Sequence, residues 1–234
     1  MASSGELTKC MADATGIPVS SVALCVRSLR QSGLIESGAH GVNARRITYV
    51  ETARLLIALL VTEKPSRASQ AVQDFGPLQV SWFSGDKKVD GSDEVPRLWI
   101  ESGILEVATF EDAVATAIKV FAEKQDSKEF EQAKIYHGGT PLYLPQMEIG
   151  VQPSYFSAFI RMKRDWLIRF DHAYRVAETK AEGAGNAFPL TSKERGEYLE
   201  FAQARKRYEK LIKSEIWIDQ DVVDEIASTM SPDT

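Results

Sequence analysis

The sequence predicts an α+β protein, and three stretches of the chain support this prediction. Residues 7–60 carry apolar side chains at helical spacing. Residues 142–170 contain short apolar runs separated by turn residues, which is typical of antiparallel strands. Residues 190–214 have the apolar stripe of a long helix. We therefore expect a helical domain over residues 1–75, followed by a mixed α/β domain over residues 76–234 that contains the antiparallel strands and the long C-terminal helix.

Composition places the chain among ordinary globular proteins. Of its 234 residues, 44% are hydrophobic and 26% are charged. No apolar run approaches the ~20 residues that a membrane span requires, and the first residues lack the basic segment and apolar core of a secretion signal. The two cysteines, Cys10 and Cys25, lie in the first predicted helices, which fits buried thiols in a reducing compartment. We expect a cytoplasmic protein without a membrane segment.

Charge is distributed unevenly along the chain. The net charge is −5, which argues against indiscriminate coating of nucleic acid. Residues 1–70 nevertheless hold eight basic and five acidic side chains, whereas residues 71–130 hold six basic and twelve acidic ones. A locally basic face is what contact with phosphate requires, and an acidic remainder limits non-specific binding. The positive charge therefore accompanies the N-terminal helices.

Two short helices separated by a tight turn are predicted near the N-terminus. The first helix ends before Gly16, which opens a turn of the type that interrupts helical periodicity. The second helix covers residues 19–32, and Gly33 lies where a helix favours a left-handed C-terminal residue. Leu34 then begins a predicted strand, and the glycine-containing segment 36–44 suits the tip of a β-hairpin. The predicted order is helix, turn, helix and hairpin.

The second predicted helix and its surroundings resemble a known family. The residues that carry the resemblance are Ala12, Gly16, Ile17, Val22, Val26, Leu29, Gly33, Leu34 and Ile35. Their pattern resembles the winged helix-turn-helix of bacterial transcriptional regulators, and a weaker resemblance over residues 40–59 is to regulator-like proteins of bacterial prophages. The resemblance covers the first quarter of the chain. Little chain precedes Leu7 for the usual first helix, so the helix after the wing, or a partner subunit, is expected to cover that side.

The face of the second helix opposite Val22, Val26 and Leu29 is the predicted DNA-contacting surface. The N-terminal part of a recognition helix lies near base edges in the major groove, and the wing contacts the backbone or the minor groove. The predicted DNA-binding residues are Ser20, Ser21, Leu24, Arg27, Ser28 and Gln31 on the helix, and His40, Asn43, Arg45 and Arg46 on the wing. The alternative is that these residues are only the solvated face of a small helical domain.

The remaining elements are predicted from local signals. Thr48 and Glu51 form a capping box that opens an apolar helix, which should be buried on most sides. Further predicted helices cover residues 66–75, 109–123, 190–214 and 219–230. Predicted strands cover residues 142–144, 147–151, 155–162 and 166–170. Residues 76–97 are predicted as loop and as a candidate domain boundary, and residues 176–188 as a mobile loop.

The sequence contains no convincing catalytic or metal-binding pattern. Neither the two cysteines nor the three histidines show ligand spacing, so we expect no zinc and no other cofactor. Paired carboxylates bind Mg²⁺, but a solvated loop is the simpler interpretation of the acidic segment 86–94. Asp171 and His172 are adjacent residues of types that occur in catalytic sites, but the sequence shows no nucleophile to accompany them. We do not expect an enzyme.

These observations together predict a sequence-specific transcriptional regulator that binds double-stranded DNA as a homodimer. Dimerisation is expected because one recognition helix covers too few base pairs for useful specificity. The mixed domain would set the dimer geometry or bind a protein partner. One alternative is a phage DNA-packaging or assembly component that uses the helix-turn-helix to grip viral DNA. Another is a protein-interaction module with a vestigial winged helix.

Overall fold

Helices and antiparallel strands both contribute to the fold, as the sequence predicts. A computed structural model describes residues 2–37, 45–84, 101–124, 135–137, 140–142, 147–162, 166–183, 192–208 and 216–230. Within them the helices are α1 (Ser4–Thr15), α2 (Val19–Gln31), α3 (Tyr49–Val61), α4 (Ala68–Phe75), α5 (Phe110–Lys124), α6 (Ala173–Gly183), α7 (Ser192–Tyr208) and α8 (Gln220–Met230). The strands are β1 (Gln79–Ser84), β2 (Ile135–His137), β3 (Thr140–Leu142), β4 (Met147–Gln152), β5 (Ser157–Met162), β6 (Trp166–Asp171) and β7 (Ile216–Ile218). Two short 3₁₀-helices cover Pro65–Arg67 and Pro153–Tyr155.

Five of these strands form one antiparallel sheet in the order β1-β6-β5-β4-β7. Strands β4, β5 and β6 are consecutive in the chain, whereas β1 and β7 join the two edges from distant parts of the sequence. Gly150 on β4 lies opposite Phe159 on β5, and the Phe159 ring occupies the space that a Cβ atom at Gly150 would need. Strands β2 and β3 pair separately as a two-stranded sheet.

A single hydrophobic cluster connects the N-terminal helices with the C-terminal half of the chain. Helix α8 packs against α1 and α5, and α3 packs against α5. The Cys10 thiol donates to the Glu225 carbonyl oxygen at 3.4 Å, and the Thr52 hydroxyl lies 3.4 Å from the sulfur of Met230. Helix α8 therefore packs over α1. From the sequence, the helix after the wing, or a partner subunit, was predicted to cover this side. The division after residue 75 stays a prediction, and the residues on its two sides share one core.

An ion pair between α3 and α5 stabilises this shared core. Arg54 on α3 donates through Nε and Nη2 to the two carboxylate oxygens of Glu111, at 3.0 and 2.9 Å. Its Nη1 donates to the carbonyl oxygen of Leu34 at 2.9 Å. One guanidinium group thus joins α3, α5 and the segment that follows α2. This fork geometry is the strong form of an arginine–carboxylate contact.

Most elements predicted from local signals are confirmed. Helices α3, α5 and α8 and strands β4, β5 and β6 lie where capping boxes and apolar runs placed them. Residues 192–208 form helix α7, but the long C-terminal helix predicted over residues 190–214 stays a prediction, because residues 190–191 and 209–214 lie outside the described residues. The strands β1 and β7 were not predicted, because each is an edge strand with a partner that is distant in sequence.

Three predictions are wrong. Residues 79–84, which lie in the segment 76–97 predicted as loop, form strand β1, because they pair with β6. Residues 176–183 belong to α6 and not to a loop, because their alanine, glutamate and lysine side chains favour helix more than the glycine disfavours it. Leu34 does not begin a strand. The backbone amides of Leu34 and Ile35 both donate to the Leu29 carbonyl oxygen, at 2.9 and 3.2 Å, so they complete the end of α2. Gly33 has the left-handed conformation expected there, with φ of 74°.

We predict that Arg54→Met lowers the free energy of unfolding by about 2–3 kcal/mol, because Glu111 and the Leu34 carbonyl lose their donor in a partly buried site. Urea denaturation measures this change. Arg205→Met, on an exposed part of α7, is the control and should change stability by less than about 0.5 kcal/mol. The double variant Arg54→Met/Glu111→Leu should recover part of the loss. Equal stability of Arg54→Met and Arg205→Met would contradict this account.

Candidate nucleic-acid interface

The first two helices are joined by a three-residue turn. Helix α1 begins with a capping box in which the Ser3 amide donates to the Glu6 carboxylate at 2.7 Å and the Glu6 amide donates to the Ser3 hydroxyl at 3.3 Å. It ends at Gly16, whose φ of 69° is left-handed and reverses the chain. Helix α2 begins directly after Pro18. Residues 16–18 therefore make a turn of the length and composition used between paired helices.

Helix α2 has a buried face and an exposed face, as its periodicity predicts. Val22, Cys25, Val26 and Leu29 are buried, and the helix packs against α1, α3, α4 and the 3₁₀-helix at residues 65–67. The outward residues Ser20, Leu24, Arg27 and Gln31 are all exposed, and Ser21 and Ser28 are half-buried beside them. Leu24 is 52% exposed although it is apolar. The structure thus brings the six predicted residues of α2 together on one side of the helix.

The N-terminal end of α2 is open to solvent. No side chain caps this helix, and its first intrahelical acceptor is the Pro18 carbonyl oxygen, which accepts from the Ser21 and Val22 amides at 2.8 and 3.1 Å. Pro18, Val19 and Ser20 are exposed. The first backbone amides of a helix have no intrahelical partner. An uncapped, exposed helix start of this kind presents amide donors and the positive end of the helix dipole to an anion.

The buried carboxylate of Glu51 is the main polar anchor beside α2. Its Oε1 accepts from the Glu36 backbone amide at 2.8 Å and from Arg45 Nη1 at 2.7 Å. Its Oε2 accepts from the amide and the hydroxyl of Thr48, at 2.9 and 3.1 Å. Burial raises the pKa of the Glu51 carboxyl group, but the hydrogen bonds from Arg45, Thr48 and Glu36 outweigh burial and hold that pKa below its ordinary value.

Glu51 therefore joins the two ends of the segment in which the wing is predicted. Glu36 is the first residue of the predicted hairpin tip and Arg45 directly follows that tip, and the Arg45 Nε also pairs with the Glu36 carboxylate at 3.1 Å. The Arg45 guanidinium is thus held by two carboxylates, which gives Arg45 a structural role that the sequence did not predict. Its predicted contact with DNA stays a prediction. His40 and Asn43 lie outside the described residues, so the structure does not place them.

Arg46 is the exposed basic residue next to this anchor. The following residue, Ile47, is buried, and its amide donates to the Ala2 carbonyl oxygen at 3.0 Å. The backbone of Arg46 is therefore fixed on one side by Arg45 and on the other by Ile47. The positive charge of Arg46 also contributes to lowering the pKa of Glu6, after the hydrogen bonds from Ser3. Arg46 thus lies close to the start of α1.

The other candidate chemical groups have structural partners. Cys10 and Cys25 are buried and form no disulfide, and burial raises the pKa of Cys25 to about 11. Asp171 accepts from the Ser81 hydroxyl at 2.6 Å, whereas His172 accepts from the Tyr174 amide at 3.2 Å. The two side chains therefore have different hydrogen-bond partners.

Two further observations concern only the residues that the structure describes. Among them no cluster of three or more histidine, cysteine, aspartate or glutamate side chains has the arrangement of a metal site. In the same residues no helix combines the length and apolar character needed to cross a bilayer.

Comparison with known proteins adds no family to this description. No family model matches the sequence, and no curated protein or solved structure matches it significantly.

We predict that Glu51→Gln lowers the free energy of unfolding at neutral pH by about 1–3 kcal/mol, because a neutral amide cannot accept all the hydrogen bonds of the carboxylate. The folded-state pKa of Glu51 lies below its unfolded value. The stabilisation is therefore present above the unfolded value and is lost as the pH falls through the folded one. Thermal unfolding between neutral and acidic pH should accordingly show a shallower acid dependence in the variant.

The matched control is Glu6→Gln, which alters the exposed capping box of α1 and should have a smaller effect. Amide hydrogen exchange at Glu36 gives a local readout, because that amide donates to Glu51 in the native protein. Protection of the Glu36 amide should fall in Glu51→Gln. An unchanged acid dependence together with unchanged protection would show that Glu51 does not anchor this segment.

Proposed function

We propose that this protein is a transcriptional regulator that binds double-stranded DNA, with α2 as its recognition helix. The observation that carries the proposal is the division of α2 into a buried apolar face and a solvent-facing stripe of Ser20, Leu24, Arg27 and Gln31. These residues span about 16 Å along the helix at 1.5 Å per residue. A major groove about 12 Å wide admits such a helix, so the whole stripe can face base edges.

The side chains of the stripe have chemistry that suits readout of bases. Ser20 lies at the start of α2, where a recognition helix approaches the base edges. Leu24 offers an exposed apolar surface to a thymine methyl group. Arg27 can donate two hydrogen bonds to guanine or bind a phosphate, and Gln31 can pair with adenine or bind a phosphate. Ser21 and Ser28 flank the stripe and add hydroxyl donors.

Contacts to the phosphate backbone would come from two places beside the stripe. The uncapped start of α2 presents backbone amides to an anion. Arg46 presents a cation whose backbone is fixed by its neighbours Arg45 and Ile47. Phosphate contacts set the position of a protein on the duplex and carry most of the salt dependence of binding. We assign Arg46 this role, and Arg45 the role of holding the segment in place.

The proposed active species is a homodimer. One helix of this length reads only a few base pairs, and two copies bound one helical turn apart, at about 34 Å, would read two half-sites. The part of the chain after α4 would set the distance between the two recognition helices or bind a protein partner. An operator with two-fold symmetry is the expected consequence.

Selection of bound sequences from random duplex DNA at a fixed salt concentration tests the proposal. We expect an enriched palindrome, and a dimer by analytical ultracentrifugation. The proposal contains no catalytic step, so the duplex should be recovered intact in the presence of Mg²⁺. A ring-shaped oligomer that binds DNA without sequence preference would favour the packaging alternative. Absence of any enriched sequence would contradict the assignment of α2 as a recognition helix.

We predict that Arg27→Gln and Arg46→Gln each weaken DNA binding and each reduce the slope of log affinity against log salt concentration by up to about 0.9, because each removes one cation from the phosphates. Fluorescence anisotropy at several salt concentrations measures both quantities. Lys119→Gln, on the exposed side of α5, is the charge-matched control and should leave the slope unchanged. Leu24→Ala should change the preferred sequence and leave the slope unchanged.

If Arg27→Gln and Arg46→Gln have the same slope of log affinity against log salt concentration as Lys119→Gln, that result would contradict DNA binding through this face. That result would favour the interpretation of the N-terminal region as a protein-interaction module.

A further inference from the structure

A cavity of about 890 Å³ lies beside the α1–α2 turn, and no residue of α2 itself lines it. The α1–α2 turn, the C-terminal half of α3, the end of α7, strand β7 and the start of α8 form its walls. Its volume is within the range of about 300–1,000 Å³ that small-molecule sites have. The cavity is partly open to solvent.

The walls of the cavity are mainly apolar, and much of this apolar surface is incompletely buried. Ile17, Leu59, Ile216 and Val222 line the cavity and pack against the core while remaining partly exposed. Trp217 on β7 also lines it and is 52% exposed. Partly exposed apolar side chains that converge on one concave site are typical of a surface that a ligand covers.

The rim of the cavity carries two cations that have no partner among the described residues. Five charged residues line it: Glu63, Lys64, Arg67, Arg207 and Asp219. Arg207 is bound to Asp74, with a distance of 3.0 Å from Nε to Oδ2. Asp219 accepts from the Val222 amide at 3.3 Å at the start of α8, and Glu63 has an interaction of its own. Lys64 and Arg67 are exposed, and within the described part of the chain their side chains form no ion pair.

We propose that this cavity binds a small molecule with an apolar body and one anionic head group. The apolar body would lie against Leu59, Ile216 and Trp217, and the head group would be held at the rim by Lys64 and Arg67. The two cations lie three residues apart on either side of Pro65, where the 3₁₀-helix at residues 65–67 begins, so one carboxylate or sulfonate can approach both. This site is separate from the α2 stripe, and the proposal does not depend on DNA binding.

Three probes with the same alkyl chain and different head groups test the charge preference. Decanoate and decyltrimethylammonium, each below its critical micelle concentration, and 1-decanol, below its solubility limit, are titrated into the full chain by isothermal calorimetry. We expect decanoate to bind at one site at least about tenfold more tightly than decanol, because a charge-assisted hydrogen bond increases affinity by about tenfold or more. The cationic probe should bind most weakly. Equal affinity for the three probes, or no saturable binding of decanoate, would overturn the proposal.

Two variants locate the binding site. Lys64→Gln/Arg67→Gln should reduce the affinity for decanoate to that for decanol and leave decanol binding unchanged. Leu59→Trp should fill the cavity and weaken both probes at least about tenfold. The control Lys9→Gln/Lys119→Gln makes the same change of net charge at exposed positions outside the cavity lining and should bind like the native protein.

Thermal unfolding checks that each variant is folded. If Leu59→Trp does not fold, the exposed double variant at Lys64 and Arg67 still decides the question. Decanoate binding that is unchanged by the Lys64→Gln/Arg67→Gln substitutions would show that these residues do not form the site.

Discussion

The buried carboxylate of Glu51 is the interaction on which the N-terminal architecture depends. It accepts hydrogen bonds from the Glu36 amide, from Arg45 and from Thr48, so it joins the end of the α2 segment to the start of α3. A buried charge is tolerated only when its hydrogen bonds are satisfied. The same group caps α3 and positions the chain around Arg46. Arg54 makes a second connection, from α3 to Glu111 and to Leu34, and the two together fix the C-terminal end of α2.

Local signals in the sequence predicted the elements, and long-range contacts decided their arrangement. The two faces of α2 and the Thr48–Glu51 capping box follow from spacing within a few residues, so both could be predicted. The pairing of Arg54 with Glu111 joins residues 57 positions apart, and no periodicity encodes it. The packing of α8 against α1 and the pairing of the edge strands β1 and β7 could not be predicted for the same reason, because their partners are distant in sequence.

In the candidate site, too, features set by local spacing could be predicted from the sequence, whereas features set by long-range contacts could not. Six of its residues lie on α2, and helical periodicity alone places them on one side. Arg45 was predicted as a wing contact from its position after a glycine-containing segment, but its side chain is held by Glu51 and Glu36. The cavity beside the α1–α2 turn gave no signal in the sequence, because its walls come from that turn, α3, α7, β7 and α8. In the two proposals, the outward face of α2 contacts DNA, and the turn before α2 lines the cavity for a small molecule.

The central claim is that the exposed stripe of α2 is the surface that contacts DNA. Backbone amide chemical shifts, recorded by NMR while the selected duplex is titrated into isotope-labelled protein, test this claim residue by residue. We expect the largest changes at Ser20, Leu24, Arg27 and Gln31 and at Arg46, with little change along α5. Changes confined to other helices, with the α2 stripe unaffected at saturating DNA, would contradict it.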